Sequence, residues 1–138
     1  MKPTGDDVVR HEVDPRDATA EHEALAVAGA LFRSLGDPAR LAILRHLCLG
    51  EHKVVELTAH LDLAQSTVSA HLACLRDCGL VTSRPEGRAS MWSLTAAPQI
   101  VDVLGAAERL LAVTGESVAL CPTYGAATAP TVHGRTAS

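Results

Sequence analysis

The stretch Gln65–Gly79, QSTVSAHLACLRDCG, sets the terms for the whole chain. It opens with short polar residues suited to a helix N-terminus and closes on Gly79, the usual residue for ending a helix in a left-handed conformation. Between them Val68, Leu72 and Leu75 recur at spacings of four and three, which makes one apolar stripe. At about 100° per residue, Thr67, His71, Cys74 and Cys78 share a neighbouring face, while Ser66, Ser69 and Ala73 point elsewhere. The predicted helix therefore has a core-facing side, a thiol side and a side of short polar groups. Short polar groups approach base edges and phosphates without steric hindrance. One helix thus offers a DNA-reading surface together with half of a soft-metal site.

Such a helix needs a core to sit on. The chain has 138 residues, enough for one domain, and 47% of them are apolar, yet it holds one Phe, one Tyr and one Trp. Its core must be built from Leu, Val and Ala, which favours packed helices. No run approaches the roughly 18 apolar residues of a membrane span, and MKPTGDDVVRHEVD lacks a signal-peptide apolar block. A cytoplasmic protein is expected, with its four cysteines as thiols and not as a disulfide frame. The net charge of −4 is uneven. Residues 1–32 carry three basic and seven acidic groups, whereas residues 33–94 carry seven and six. Local arginines and helix N-termini therefore have to serve any contact with phosphates.

Taken in order, residues 1–18 read as a disordered arm, with His11 and nearby His22 as solvated side chains. Residues 19–114 read as a winged helix-turn-helix domain, mainly α with a small β-hairpin, and residues 115–138 as a flexible tail. Leu25, Ala28, Leu31, Phe32 and Leu35 give a first helical stripe from about Ala18. Asp37 stands where an N-cap belongs and Pro38 at the first position of the next helix, on whose apolar side Cys48 reads as a small buried hydrophobe. After a break at Gly50–Lys53, a short helix with Val55 and Leu57 inward leads through Asp62–Ala64 into the central helix. LVTSRPEG and RASMWSL read as two strands of a wing with Arg84 and Arg88 at its tip. Pro98 opens a last helix whose continuous apolar stripe is best buried against a second copy. The expected dimer seam is Leu25, Phe32, Val103, Leu104, Leu110 and Leu111. The chain contains no Gly-rich phosphate loop, nucleophile elbow or zinc-protease helix, so an enzyme is not expected.

The order LGDPARLAIL, ELTAHLDLAQSTVSAHLACLRDCGLV and EGRASMWSL resembles the ArsR/SmtB family of metal-responsive winged-helix repressors, over roughly Leu31–Leu111. Sensors of that family with a Cys-x-Cys at the start of the third helix would need thiols where this chain has Lys53, Val54 and Val55. Those with Asp and His pairs on the last helix find no match in PQIVDVLGAAERLLA. HLACLRDCGLV with a later cysteine is similar to the family's cadmium/lead sensors, which implies Cys74, Cys78 and Cys121 as ligands. Chemistry agrees in part. Cysteines at i and i+4 lie about one turn apart on one face, and thiolates suit Cd(II), Pb(II) and Zn(II). Three thiolates satisfy Pb(II), whereas Cd(II) recruits a fourth donor. His71 shares the thiol face, but it belongs to the SxHL pattern that recurs across the family whatever the metal, which implies a structural or phosphate-contacting role. Tyr124 and His133 have only proximity to recommend them.

The expected protein is a homodimeric repressor that holds double-stranded operator DNA in the apo form and releases it on binding Cd(II) or Pb(II), with Zn(II) a further candidate. Gln65, Ser66, Thr67, Ser69, His71 and Arg76 are expected at DNA from the central helix, and Arg84 and Arg88 from the wing. The resemblance implies that Cys121 reaches the site from the partner subunit. The competing expectations are the same fold sensing arsenite or thiol oxidation, and a constitutive DNA-binding module whose cysteines only pack.

Overall fold

The structure, a computed structural model, describes residues 14–120. Residues up to Arg33 form one compact unit and those from Ser34 onward a second. Helix α1 (Pro15–Leu35) starts three residues before the expected Ala18. The reason is local. The Asp14 side chain accepts from the Arg16 amide at 3.0 Å, and Pro15 supplies a first-turn residue whose missing N–H costs nothing. Leu25, Val27 and Phe32 stay exposed on α1.

The second unit repeats that Asp-Pro device. At α2 (Pro38–Leu47) the Asp37 carboxylate accepts from the amides of Ala39 at 2.8 Å and Arg40 at 3.3 Å. Strand β1 (His52–Lys53) occupies what reads in the sequence as a plain break, pairing with Trp92 and Met91. Helix α3 (Val54–Leu61) follows, and the Lys53 amide donates to Glu56 at 2.7 Å. It turns Val54 and Leu57 inward and leaves Val55 61% exposed, the reverse of the expected orientation at Val55. Asp62 ends it in the left-handed region, which aspartate tolerates better than most residues.

Helix α4 (Gln65–Asp77) is the central helix. Its stripe of Val68, Leu72 and Leu75 is fully buried against Ile43, Leu44, Leu47, Leu57, Val81 and Trp92. Truncating Leu72 to Ala there would cost about 2–5 kcal/mol through lost burial and the cavity left behind. At its end Gly79 takes φ +78°, its amide donates to the Arg76 carbonyl at 2.8 Å, and the Leu80 amide donates to the Leu75 carbonyl at 2.9 Å. That is a Schellman stop, and it turns the chain directly into the wing.

Strands β2 (Val81–Glu86) and β3 (Ala89–Leu94) pair antiparallel from Val81–Leu94 to Glu86–Ala89, completing a sheet of order β1-β3-β2. Gly87 (φ +64°) and Arg88 form the two-residue hairpin loop. Arg88 is therefore at the tip, but Arg84 is set back on β2 opposite Met91. Helix α5 (Ala97–Val113) starts with Pro98 in its first turn and stops at Gly115, φ +97°. It leaves Val103, Leu110 and Val113 exposed but holds Leu104 at 2% exposure. Leu104 thus packs inside its own chain and is not free to make the expected seam, and Leu111 is half-buried. Among the described residues no helix is long and apolar enough to cross a membrane.

Candidate nucleic-acid interface and thiol site

The N-terminal turn of α4, expected from the sequence at DNA, presents a row of short polar side chains to solvent. Ala64 caps it without a side-chain hydrogen bond, and the Thr67 amide donates to the Ala64 carbonyl at 3.0 Å, which leaves the amides of Gln65 and Ser66 for an outside acceptor. Gln65, Ser66, Thr67 and Ser69 are all exposed, while Val68 between them is buried and anchors the turn. A shallow recess beside it is lined by Lys53, Gln65, Arg88 and Trp92, among others, so the wing tip and the helix start face one opening. Lys53 escapes a sequence reading because nothing there reveals that β1 brings it to the wing.

The remaining arginines are less uniform than the sequence suggests. Arg76 lies with its guanidinium 5.8 Å from the Trp92 ring centre and 4.0 Å from Asp77. Arg84 is engaged by Glu51 and Glu86 at 2.8 and 2.7 Å. Arg88 makes no ion pair among the described residues. His71 is half-buried, with Nδ1 at 3.4 Å from an Arg40 guanidinium nitrogen. Arginine can only donate, so Nδ1 is the acceptor in this contact.

The C-terminal turn of the same helix carries the thiols. Cys74 and Cys78 are both half-buried, and Cys78 is the capping residue. Facing them is Ser34, whose Oγ lies 2.7 Å from Cys78 Sγ and 3.8 Å from Cys74 Sγ. Ser34 is 3% exposed, and its carbonyl accepts from Arg40 Nε at 2.7 Å. The chain Cys78–Ser34–Arg40–His71 therefore links the thiols to the middle of α4 through residues of α1 and α2. Ser34 and Arg40 do not stand out in the sequence as site residues. The available signal is a serine falling three residues after Leu31, on the apolar stripe of α1.

Two sulfurs on one helical turn suit a soft ion, but among the described residues no group of three His, Cys, Asp or Glu is gathered to hold one. Further donors are needed. The expected third ligand, Cys121, lies outside the described residues. The last described residue before it, Leu120, donates its amide to the Glu108 carboxylate on α5. Cys48 is half-buried at the end of α2 and is not the fully enclosed side chain expected.

A family model described as "Bacterial regulatory protein, arsR family" matches residues 37–83. The chain is 36% identical over 90 residues to a probable mercury resistance operon repressor of Streptomyces lividans, covering 65% of this chain and 71% of that protein. It is 46% identical over 76 residues to the HTH-type transcriptional regulator CmtR of Mycobacterium tuberculosis, covering 55% of this chain and 64% of CmtR. In three dimensions it is similar to the homodimeric winged helix-turn-helix DNA-binding domain of a possible ArsR-family regulator from Mycobacterium bovis. The TM-score is 0.60 at 26% identity, covering 66% of this chain and 87% of that one.

Proposed function

From the premise that the chain belongs to the ArsR family of bacterial regulatory proteins, we propose that this transcriptional regulator is a thiol-based metal-responsive repressor. It binds operator DNA as a homodimer through the N-terminal turn of α4 and the wing. It releases that DNA when a soft ion is bound at the C-terminal turn of the same helix. The observation that carries this reading is the placement of Cys74 and Cys78 one turn apart on the recognition helix itself. An effector held there acts on the DNA-reading element without an intermediary.

Cys74 and Cys78 would hold the ion as thiolates, with Cys121 as a third. A soft divalent ion supplies strong bonds to sulfur and favours the deprotonated thiols. The chain's own residues supply the rest. Val68, Leu72 and Leu75 hold α4 rigidly on the core, so a shift at its end is passed along its length. The contacts from Cys78 through Ser34 and Arg40 to His71 give that shift a second route. A coupling of about 1–3 kcal/mol is enough to release an operator.

Cd(II) and Pb(II) are the proposed effectors. Zn(II) and arsenite are the alternatives that the thiol set admits, and Hg(II) joins them because one relative is a probable mercury resistance operon repressor. The test is operator binding by fluorescence anisotropy with each ion in turn, on the wild type and on Cys74→Ser and Cys78→Ser. Release by Cd(II) or Pb(II) that both substitutions abolish supports the proposal. Operator binding indifferent to every ion would leave a constitutive DNA-binding module, and release by oxidant alone would leave a thiol-redox switch.

A further inference from the structure

The recess between the wing and the start of α4 measures about 320 Å³, at the small end of ligand clefts. Its wall is electrostatically one-sided. Lys53 and Arg88 both line it, and no carboxylate does. Neither cation belongs to an ion pair among the described residues, whereas Arg84 is held between Glu51 and Glu86. The Glu56 carboxylate accepts from the Lys53 backbone amide at 2.7 Å and forms no ion pair with its ammonium. Trp92 lines the recess too and is 9% exposed. Its indole Nε1 is the one buried side-chain polar atom without a partner among the described residues. Gln65, the first residue of α4, completes the polar wall, and its amide has no acceptor within the helix. Two cations, an unpaired indole N–H and a helix start suit a group that is anionic and only accepts hydrogen bonds. The arrangement is built in advance, because the pairing of β1 with β3 fixes Lys53 beside Met91.

We propose that this recess seats a single backbone phosphate of the bound DNA, gripped jointly by Lys53 from β1 and Arg88 from the hairpin loop. The inference rests on the reading of α4 and the wing as the DNA-binding surface, and adds to it a residue that belongs to neither. A phosphodiester is the favoured occupant because the recess adjoins the exposed row Gln65, Ser66 and Thr67. A duplex lying on that row carries its backbone across the opening. The ammonium supplies a compact charge and the guanidinium a fork of donors, so the two engage different oxygens of one phosphate. Such a contact reads no base. It sets the register of the wing and α4 together on the duplex.

The test uses the full chain and a random-sequence DNA duplex, because a phosphate contact carries no sequence information. Lys53→Gln, Arg88→Ala and the double variant are checked for folding by circular dichroism, and duplex affinity is measured by anisotropy across a salt series. Each single substitution is expected to flatten the salt dependence. The double variant is expected to lose no more than about 0.9 of slope in all, the counterion release of one phosphate. Lys53→Arg is expected to keep the wild-type slope. The inference is overturned if Lys53→Gln leaves the slope unchanged, or if the double variant loses about 1.8, which puts the two cations on separate phosphates. Trp92 is the chain's one tryptophan, so its emission reports on the recess. Saturating duplex is expected to change that emission in the wild type and far less in the double variant. Inorganic phosphate at matched ionic strength is expected to leave it unchanged. An emission indifferent to bound duplex, or responsive to inorganic phosphate alone, overturns the inference without any variant. The underlying reading fails separately, and is recognised by a wild type that binds no duplex at any salt concentration.

Discussion

Arg84 clasps Glu51 with two parallel bonds, Nε to Oε2 at 3.0 Å and a terminal nitrogen to Oε1 at 2.8 Å. Its other terminal nitrogen meets Glu86 at 2.7 Å. The hydrogen bond from Arg84 holds the Glu51 carboxyl below its ordinary value, and those to Glu51 and then Glu86 raise the guanidinium further still. Under the proposed function, two carboxylates thus compete with phosphate for one wing arginine. Glu51→Gln is expected to free Arg84, tighten operator binding and steepen its salt dependence by up to about one unit of slope. Adding Arg84→Ala should cancel the gain. Anisotropy across a salt series checks this, and an unchanged slope in Glu51→Gln would remove Arg84 from the interface. Arg88→Ala should flatten the slope for every DNA sequence alike.

The exposed apolar residues of α5 give a second prediction. Leu110 is 66% exposed and Val103 40%, whereas Leu104 is 2% exposed. Leu110→Asp should leave the helix content and melting temperature of the protomer intact while abolishing the dimer. Leu104→Asp should instead place an unpaired charge inside the chain, at a cost of several kcal/mol, and unfold it. Sedimentation combined with thermal melts separates the two. A Leu110→Asp protein that still sediments as a dimer puts the seam on another surface.

Those contrasts mark what a sequence reveals. The α4 stripe, the Asp37 cap and the Gly79 stop were legible because each depends on neighbours within about five positions, where helical period and backbone preference dominate. Leu104 and Leu110 share an apolar helix, and only the course of the rest of the chain decides which is enclosed. Likewise, Val54 and Val55 are chemically alike, and the pairing of β1 with β3 selects the one that turns inward. Ser34 and Arg40 join the thiol site across 44 and 31 positions respectively, to Cys78 and His71. No periodicity carries information over that distance.

A histidine cluster beside the core gives a pH prediction. His46 stacks on His60 with ring centres 4.9 Å apart, and His52 stands 6.2 Å from His46 and 5.8 Å from His60. Burial first, then the charges of His60, His52 and Arg45, hold His46 below its ordinary 6.5. A base with a lowered folded value binds fewer protons when folded than when unfolded, so stability rises with pH through that window. It is complete above about pH 6.5 and is lost as pH falls toward the folded value. The melting temperature should therefore drop between pH 7.5 and 5.5, and less steeply in His46→Gln. A drop of equal size in both proteins would assign the acid sensitivity elsewhere.

The last prediction separates a sensor from a helix that merely binds metal. Cys74 and Cys78 are brought together by α4 alone, so they are preorganised to take an ion without help. Cys121 is seven residues beyond Thr114, the capping residue of α5, and the nearest described anchor is the Leu120 amide on Glu108. Under the proposed function, Cys121 joins the ion as a third ligand, and its bond to the metal couples ion binding to operator release. Cys121→Ser is expected to keep measurable Cd(II) binding, weakened, while largely losing operator release. Cys74→Ser and Cys78→Ser should lose binding and release together. Cys48→Ser should leave both nearly unchanged, since Cys48 caps α2 and is not on α4. Cd(II) affinity and operator anisotropy are to be measured on the four variants side by side. A Cys121→Ser protein that releases DNA like the wild type would take the tail out of the switch, and failure of Cys48→Ser would transfer the third ligand to α2.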